Sequence, residues 1–233
     1  MTERGMIFNA EMVRAILDGR KTQTRRIMKL QPKPSKSRPG DFWFSSKKLE
    51  SMVHVSDLAP GNSPIADYHL FIQEHCCPFG AVGDRIWVRE AFRVHSRATD
   101  VATLVYKASE RNSWTEQTRR VPVAVCNKPA TPEKWTPSLH MPRWASRILL
   151  EITDVRVERL NAISEEDAAA EGVPPAGSLL PDYPGTFLTP KGDFATAKVA
   201  FQRLWESIYG AENWLANPWV WVIEFKRVEG GAA

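Results

Sequence analysis

The residues with the clearest chemical potential lie close together near the start of the chain, in the segment GRKTQTRR at positions 19–26. Neighbouring cations and partial burial both lower the pKa of a lysine, and a neutral lysine can act as a general base. Lys21 is the candidate for this role, and Thr24 carries a hydroxyl that such a base could activate. The cations around it are Arg20, Arg25 and Arg26. From this segment alone, a basic loop that is solvated or holds a phosphate is the favoured alternative.

A carboxylate at the end of a short predicted helix is the second unusual feature. Ser164 and Asp167 form a capping-box pattern, and Gly172 ends the helix, so Glu171 becomes its last residue. The helix macrodipole disfavours an anion at this end, so the carboxylate needs a nearby cation or a raised pKa. We expect Lys21 or an arginine of the first segment to be that cation. An exposed glutamate beside a glycine cap is the alternative, and position alone favours it.

Arginine and tryptophan are concentrated in a second group of residues. Pro142 predicts the start of one helical turn, on which Arg143 and Arg147, four residues apart, would share a face. Arginine near tryptophan commonly stacks an unpaired base and holds its phosphate. The candidate nucleic-acid- or substrate-binding residues of this group are Trp87, Arg89, Arg143, Trp144 and Arg147. The two tryptophans are equally consistent with core positions.

The cysteines do not suggest a disulfide framework or a metal site. Cys76, Cys77 and Cys126 are odd in number, and the first two are adjacent, a spacing that forms a disulfide only with strain. The run His75-Cys76-Cys77 lacks a spaced second pair of ligands such as CxxC. We therefore expect no metal site at these residues, and we expect no metal or cofactor elsewhere in the chain.

The positive charge of the chain is concentrated near its start. The formal net charge is only +4, but Arg14–Arg38 contains nine basic residues and one acidic residue, and the remainder is net negative. A concentrated patch attracts phosphates better than a diffuse charge does. We interpret residues 29–38 as a mobile basic arm within a flexible insertion at about 29–65. A solvated linker is the alternative.

Hydrophobic periodicity and turn residues predict the elements that must position these groups. Asn9 and Gly19 are suited to begin and end a helix, and Asp193 is suited to cap another. The predicted helices are 9–19, 164–171 and 194–209. The predicted strands are 22–27, 68–72, 85–89, 102–107, 121–126, 148–157 and 219–228. A Pro/Gly loop is expected at about 173–192.

Length and composition indicate one globular domain over residues 1–233, since domains commonly have about 100–200 residues. Short strands with a few helices predict an α+β fold, a small and mostly antiparallel β-barrel decorated with helices and long loop insertions. There is no apolar run long enough to span a membrane, and the N-terminus lacks the apolar core of a secretory signal. We expect a cytoplasmic protein with no membrane partner.

The chain resembles the ASCH domain family, which belongs to the PUA-like barrel superfamily. The first motif of that family matches Gly19, Lys21 and Arg26, and its Gly-Asp turn before a barrel strand matches GDRIWV at 83–88. The chain is also similar to longer ASCH-like proteins encoded in phages, through the segments CPFG, GDRIWVRE, PSLHMPRWASRI and NPWVWVIEF. The resemblance leaves out roughly residues 30–65 and 175–192.

The closest chemistry within that resemblance is that of the small bacterial N(4)-acetylcytidine amidohydrolases. Their lysine, threonine and glutamate would correspond to Lys21, Thr24 and Glu171. The resemblance implies an enzyme that removes an acyl group from a modified nucleoside or base, with no metal required. The alternative is a non-catalytic protein that binds RNA or single-stranded nucleic acid or reads a modified base. A ribonuclease ranks last, because no carboxylate cluster has metal-ligand spacing.

Overall fold

The computed structural model describes residues 1–44, 46, 53–59 and 68–228, and these residues form an α+β structure with mostly antiparallel sheets. Its α-helices are α1 (Ala10–Leu17), α2 (Tyr68–Phe71), α3 (Trp114–Gln117), α4 (Glu165–Ala170), α5 (Ala197–Tyr209) and α6 (Ala211–Leu215). Its strands are β1 (Glu3–Ile7), β2 (Gln23–Ile27), β3 (Lys33–Pro34), β4 (Phe42–Phe44), β5 (Val53–His54), β6 (Arg85–Arg89), β7 (Phe92–Arg97), β8 (Val101–Tyr106), β9 (Thr118–Pro122), β10 (Leu149–Arg159), β11 (Phe187–Leu188), β12 (Phe194–Ala195) and β13 (Trp219–Arg227). None of the helices within this part of the chain combines the length and apolar character needed to cross a membrane.

The chain packs into two compact units. Unit 1 comprises Met1–Gly19, Asp84–Glu151 and Lys226–Ala233, and unit 2 comprises Arg20–Gly83 and Ile152–Phe225. Strands β10 and β13 each contribute residues to both units. One ASCH-like domain over the whole chain stays a prediction.

Unit 1 is built on a sheet in which β1 runs parallel to β6, while the first residues of β10 pair antiparallel with β6. Helix α1 begins where the Asn9 side chain accepts a hydrogen bond from the Met12 backbone at 2.8 Å, and Gly19 follows it with a φ of +75°. A second sheet of antiparallel strands has the order β7–β8–β9. Its core includes the buried side chains of Phe92, Leu104 and Tyr106.

Unit 2 is built on the strand order β10–β13–β2, with β2 antiparallel to β13. The register places Val220 opposite Ile27 and Val222 opposite Arg25. Both valines lie in an apolar cluster that helices α4, α5 and α6 complete. This face of the sheet is therefore covered by the three helices. The smaller sheets of the unit are β3–β4–β5 and β11–β12.

The predicted elements agree with the structure where local chemistry sets their ends. Helix α4 is confirmed, with the Ser164 hydroxyl accepting from the Asp167 backbone at 3.0 Å. The predicted strand over 68–72 is wrong, because Tyr68–Phe71 is helical; a short apolar run does not distinguish the two conformations. Helix α5 begins at Ala197, later than predicted, because residues 194 and 195 pair with β11.

The predicted strand over 121–126 is displaced toward the N-terminus. Strand β9 is Thr118–Pro122, and the residues after Pro122 form a turn in which Val125 donates to the Pro122 carbonyl. Proline has no N–H to continue the ladder, so the strand ends there.

The insertion at 29–65 contains regular structure in its described part. Strands β3, β4 and β5 form a small antiparallel sheet there. Residues 45, 47–52 and 60–65 lie outside the described residues. The predicted flexibility of the insertion stays a prediction, as does the Pro/Gly loop at 173–192, within which β11 is a short paired segment.

Candidate active site

The backbones of Lys21 and Glu171 lie next to each other, in addition to the contact between their side chains. The two residues form an isolated antiparallel bridge, and the Thr22 backbone donates to the Ala170 carbonyl at 2.9 Å. Glu171 is the C-cap of α4, and Gly172 follows with a φ of +90°. The end of α4 is thus fixed against the residues that lead into β2.

The side chains of Lys21 and Glu171 form a buried ion pair. Lys21 Nζ donates to Glu171 Oε2 at 2.7 Å and to the Glu171 carbonyl at 2.8 Å. The side chains are 0% and 3% exposed. Lys21 is therefore the cation that a carboxylate at the end of α4 requires.

The surroundings of Lys21 hold its pKa below the ordinary value of 10.5. Burial has the largest effect and lowers the pKa, because the charged ammonium loses its hydration. Glu171 raises the pKa, and the charges of Arg26 and Arg25 lower it. The net direction is toward the neutral amine, which is the form that can accept a proton.

Arg25 contacts the second oxygen of the Glu171 carboxylate. Its Nη1 lies 3.2 Å from Glu171 Oε1, and its Nη2 lies 3.0 Å from Glu158 Oε2 and 2.7 Å from Asp167 Oδ2. The Arg25 side chain is fully buried. This guanidinium is engaged by three carboxylates of unit 2 and does not present its charge to solvent.

A second arginine extends the network. Arg156 contacts Asp167 at 2.9 Å and Glu158 at 2.6 Å, and it also pairs with Asp154 and Glu224. Burial raises the pKa of Asp167, but Arg25 and Arg156 outweigh it, and the pKa lies below its usual range. The network is made of Lys21, Arg25, Arg156, Asp154, Glu158, Asp167, Glu171 and Glu224. With three bases and five acids, this network carries a net negative formal charge, which disfavours the binding of a phosphate.

A sequence signal for this second arginine lies in β10. Asp154, Arg156 and Glu158 alternate along β10, so strand geometry puts them on one face of the sheet.

Thr24 lies on the other face of β2 from Arg25. Gln23 and Arg25 both contact Asp167 of α4, while Thr24, the residue between them, is paired with Ile223 of β13. Because side chains alternate along a strand, Thr24 points away from the carboxylate network. Its side chain is buried, at 2% exposure of the residue. The structure therefore brings Lys21 and Glu171 together and places Thr24 on the opposite side of the strand.

The two remaining cations of the first segment lie at the edges of this arrangement. Arg20 Nη1 donates to the Gly172 carbonyl at 2.8 Å, next to the end of α4. Arg26 is half-buried on β2, opposite Trp221 on β13. Of the three arginines, Arg26 is the one whose charge both acts on Lys21 and lies on the Thr24 face.

The arginine and tryptophan group belongs to unit 1, and its geometry differs from the prediction. The helical turn after Pro142 spans only Arg143–Ala145, and Ser146 is extended. Arg143 and Arg147 consequently do not share a helix face; Arg143 pairs with Glu3 at 2.8 Å. The prediction failed because the turn ends before a fourth residue can join it.

Arg147 is part of a buried structural cluster. Its Nε and Nη2 lie 2.9 and 3.0 Å from the two Glu90 carboxylate oxygens, and its guanidinium lies 4.1 Å from the Tyr106 ring centroid. Glu90 is 2% exposed, and burial raises the pKa of its carboxyl even though Arg147 opposes this. Both charges are satisfied within unit 1.

The tryptophans of this group pack against the protein. The Trp87 indole lies over Gly5 of β1, with the Arg89 guanidinium 5.4 Å from its centroid. Trp144 meets Phe92 edge to face, with ring centroids 6.2 Å apart. Both are half-buried, which fits the packing role better than a stacking surface.

In the part of the chain that the structure describes, no group of three or more His, Cys, Asp or Glu residues could hold a metal ion. Comparisons with known proteins add no further constraint on the site: no protein-family model, no curated protein and no solved structure matches the chain.

Proposed function

We propose that the chain is an amidohydrolase that removes an acyl group from the exocyclic amine of a modified nucleoside or base, of the N(4)-acetylcytidine kind. The observation that carries the proposal is the buried pair of Lys21 and Glu171, in which a lysine with a lowered pKa is held 2.7 Å from a carboxylate. Strongly perturbed titratable groups with a specific charge partner are typical of catalytic sites.

Lys21 is the general base and then the general acid. The neutral amine takes a proton from a water molecule, whose oxygen attacks the acyl carbonyl carbon. When the tetrahedral intermediate collapses, the carbon–nitrogen bond breaks and the Lys21 ammonium returns its proton to the leaving nitrogen. The products are the free exocyclic amine and a carboxylic acid, and Lys21 is again neutral.

Glu171 is a positioning residue for this base. Its Oε2 and its carbonyl oxygen accept two hydrogen bonds from Lys21, so they fix the direction of the amine, and Arg25 holds the second carboxylate oxygen. Neither side chain of the pair is open to solvent. The reaction therefore requires that substrate binding expose Nζ.

We assign the nucleophile to water and not to Thr24. The alternation of side chains along β2 supports this, since Thr24 lies on the face opposite to Arg25 and the carboxylates. A backbone N–H would stabilise the oxyanion, since Arg26 shares the Thr24 face of β2 and acts on Lys21 only through its charge. The PUA-like barrel with long insertions remains our proposal for the finer fold, and the resemblance of GRKTQTRR and GDRIWV to ASCH domains supports it.

The test is turnover of N(4)-acetylcytidine and a panel of other acylated nucleosides and bases, followed by chromatography. We expect acetate and cytidine from the wild type and at least about a hundred-fold loss in Lys21→Ala, since general base catalysis contributes about 10²–10⁴-fold. Lys21→Arg is the sharper variant: it retains the positive charge beside Glu171, but an arginine stays protonated and cannot act as the base. Lys191→Ala, at an exposed lysine of the same unit, is the control.

Two results would overturn the proposal. The first is the absence of turnover across the whole panel, which would leave Lys21 and Glu171 as a structural ion pair. The second is wild-type activity in a folded Lys21→Arg variant. Thermal unfolding of each variant separates loss of catalysis from loss of fold.

A further inference from the structure

The insertion forms the wall of a cavity that the Lys21 site does not use. The cavity has a volume of about 640 Å³ and lies in unit 2. The described residues that line it include Lys29, Gln31, Lys33, Lys36 and Trp43. Sites for small organic ligands commonly have about 300–1,000 Å³, are largely apolar and contain a few placed polar groups.

The three lysines of this lining are the bases of residues 29–38 that form no ion pair with a described carboxylate. Lys29, Lys33 and Lys36 are exposed, and none has an ion pair with a carboxylate among the described residues. Arg38, the remaining base of the segment, instead pairs with Asp57 at 2.8 Å. The lining contains no acidic residue among those described. The cavity is therefore electropositive, in contrast to the acid-rich network around Arg25.

Trp43 is held in place by a buried partner. Its indole stacks on the His54 ring, with centroids 3.7 Å apart, and His54 is 6% exposed. His54 Nε2 is hydrogen-bonded to the Ser35 hydroxyl at 2.8 Å. One indole face is thus occupied by the protein, while the residue also lines the cavity. An aromatic ring that is held in place and lines a cavity can stack a second ring.

Gln31, a second residue of the lining, is also fixed. The Gln31 amide donates to the carbonyls of Met28 and Trp219 at 2.7 and 3.0 Å, and its oxygen accepts from the Trp219 backbone at 2.8 Å. These hydrogen bonds join the Gln31 side chain to the backbone of Trp219, the first residue of β13. The cavity is therefore built against the main sheet of unit 2.

We propose that this cavity binds a nucleoside phosphate, with the base stacked on Trp43 and the phosphate held by Lys29, Lys33 and Lys36. An aromatic ring that takes a base face, beside cations that take the backbone phosphate, is the arrangement by which proteins hold unpaired nucleotides. The ligand is either a free nucleotide or one nucleotide of a single strand. The proposal does not depend on the amidohydrolase activity.

The experiment distinguishes the contribution of the base to binding from that of the phosphate. It also distinguishes a site for a free nucleotide from a site for one nucleotide of a single strand. Calorimetric titrations use adenosine 5′-monophosphate, adenosine and inorganic phosphate, and fluorescence anisotropy uses a labelled twelve-residue oligo(dA). We expect the monophosphate to bind more tightly than adenosine or phosphate alone. A free-nucleotide site predicts similar affinity for the monophosphate and the oligonucleotide, whereas a strand site predicts tighter binding of the oligonucleotide, with log K falling against log salt at a slope of about −2 for three phosphate contacts.

Variants of the lining assign the binding to this cavity. Trp43→Ala should weaken binding by about ten-fold, because stacking on one aromatic side chain is lost, and Trp43→Phe should retain most of it. The double variant Lys33→Gln with Lys36→Gln should weaken binding and flatten its salt dependence. Lys191→Gln removes one charge from the same unit and should change neither. The proposal would be overturned if neither the monophosphate nor the oligonucleotide showed saturable binding. It would also be overturned if the Trp43 and lysine variants left the binding unchanged.

Discussion

The Nζ atom of Lys21 lies 2.7 Å from the Oε2 atom of Glu171, although the two residues are 150 positions apart in the chain. The backbone brings the two side chains within reach of each other, because α4 ends next to the residues that lead into β2. Arg25 then takes the other oxygen of the same carboxylate. One carboxylate thus orients a lysine and is itself fixed by an arginine, and this relationship gives the first two predictions.

Replacing Arg26 should move the pH dependence of the proposed reaction. The active form of Lys21 is the neutral amine, so activity rises with pH through the Lys21 pKa, which lies below 10.5. Burial is the main cause of that lowering, and the Arg26 charge adds to it. Arg26→Gln removes this charge, so the rising limb of kcat/KM should shift to higher pH. Profiles measured from pH 6 to 11 check this, with Lys191→Gln as control. A limb that stays in place or moves to lower pH contradicts the role of Lys21.

Removing Arg25 should destabilise the protein strongly and in a pH-dependent way. Arg25→Met leaves Glu171, Glu158 and Asp167 without the buried cation that contacts all three, and loss of one partner of a buried pair costs about 3–5 kcal/mol. Arg120→Met, at an exposed arginine, is the control and should cost little.

The pH dependence of the Arg25 effect has a definite sign. Arg25 helps to hold the pKa of Asp167 below 3.8, and a carboxyl with a lowered pKa contributes stability above its ordinary pKa that is lost as pH falls. The variant lacks part of this contribution. The difference in unfolding free energy between wild type and Arg25→Met should therefore be larger at pH 7 than at pH 3.5, as measured by urea denaturation. An equal difference at both values would mean that the charge of Arg25 does not stabilise Asp167.

The parts of the fold that were predictable from the sequence are those that local chemistry determines. Asn9 caps α1 and Ser164 caps α4 with the hydrogen bonds that their positions predict. Gly19 and Gly172 have the positive φ that ends each helix. The need of Glu171 for a cation was predictable for the same reason, since it depends only on its place at a helix end.

The remaining features depend on contacts between distant segments. Residues 19–26 taken alone favour a solvated or phosphate-binding loop, because no local pattern reveals that Glu158 of β10 and Asp167 of α4 meet Arg25. The same holds for Arg147, whose partner Glu90 lies 57 positions away. An arginine in a basic segment has the same local signature whether it faces solvent or a buried carboxylate.

The Glu90–Arg147 pair gives a third prediction. Arg147→Met removes the cation from a buried carboxylate and should cost about 3–5 kcal/mol at pH 7. Burial raises the pKa of Glu90 and Arg147 lowers it, so the variant raises it further. A carboxyl whose pKa is raised in the folded state contributes folding stability at low pH, and this contribution is lost as the pH rises above 4.5. The melting temperature of the variant should therefore fall more between pH 5 and 8 than that of the wild type.

The double variant Glu90→Gln with Arg147→Met distinguishes lost charge pairing from lost packing. It removes both charges, so it should recover much of the stability at pH 7 and should lose the extra pH dependence. If the double variant is no more stable than Arg147→Met, the main contribution of Arg147 is its contact with the Tyr106 ring, whose centroid lies 4.1 Å from the guanidinium.

Gly5 of β1 should not tolerate a side chain. A methyl group at this position would lie 2.5 Å from Cζ2 of Trp87 and 2.9 Å from Cδ of Arg89, closer than van der Waals contact permits. Gly5→Ala must therefore displace the indole, and overpacking of this kind costs about 1–3 kcal/mol. Trp87→Leu removes the obstructing ring, so Gly5→Ala should cost much less in that background. Urea denaturation of the four proteins gives the coupling between the two positions. An equal cost of Gly5→Ala in both backgrounds would show that the indole is not what requires glycine there.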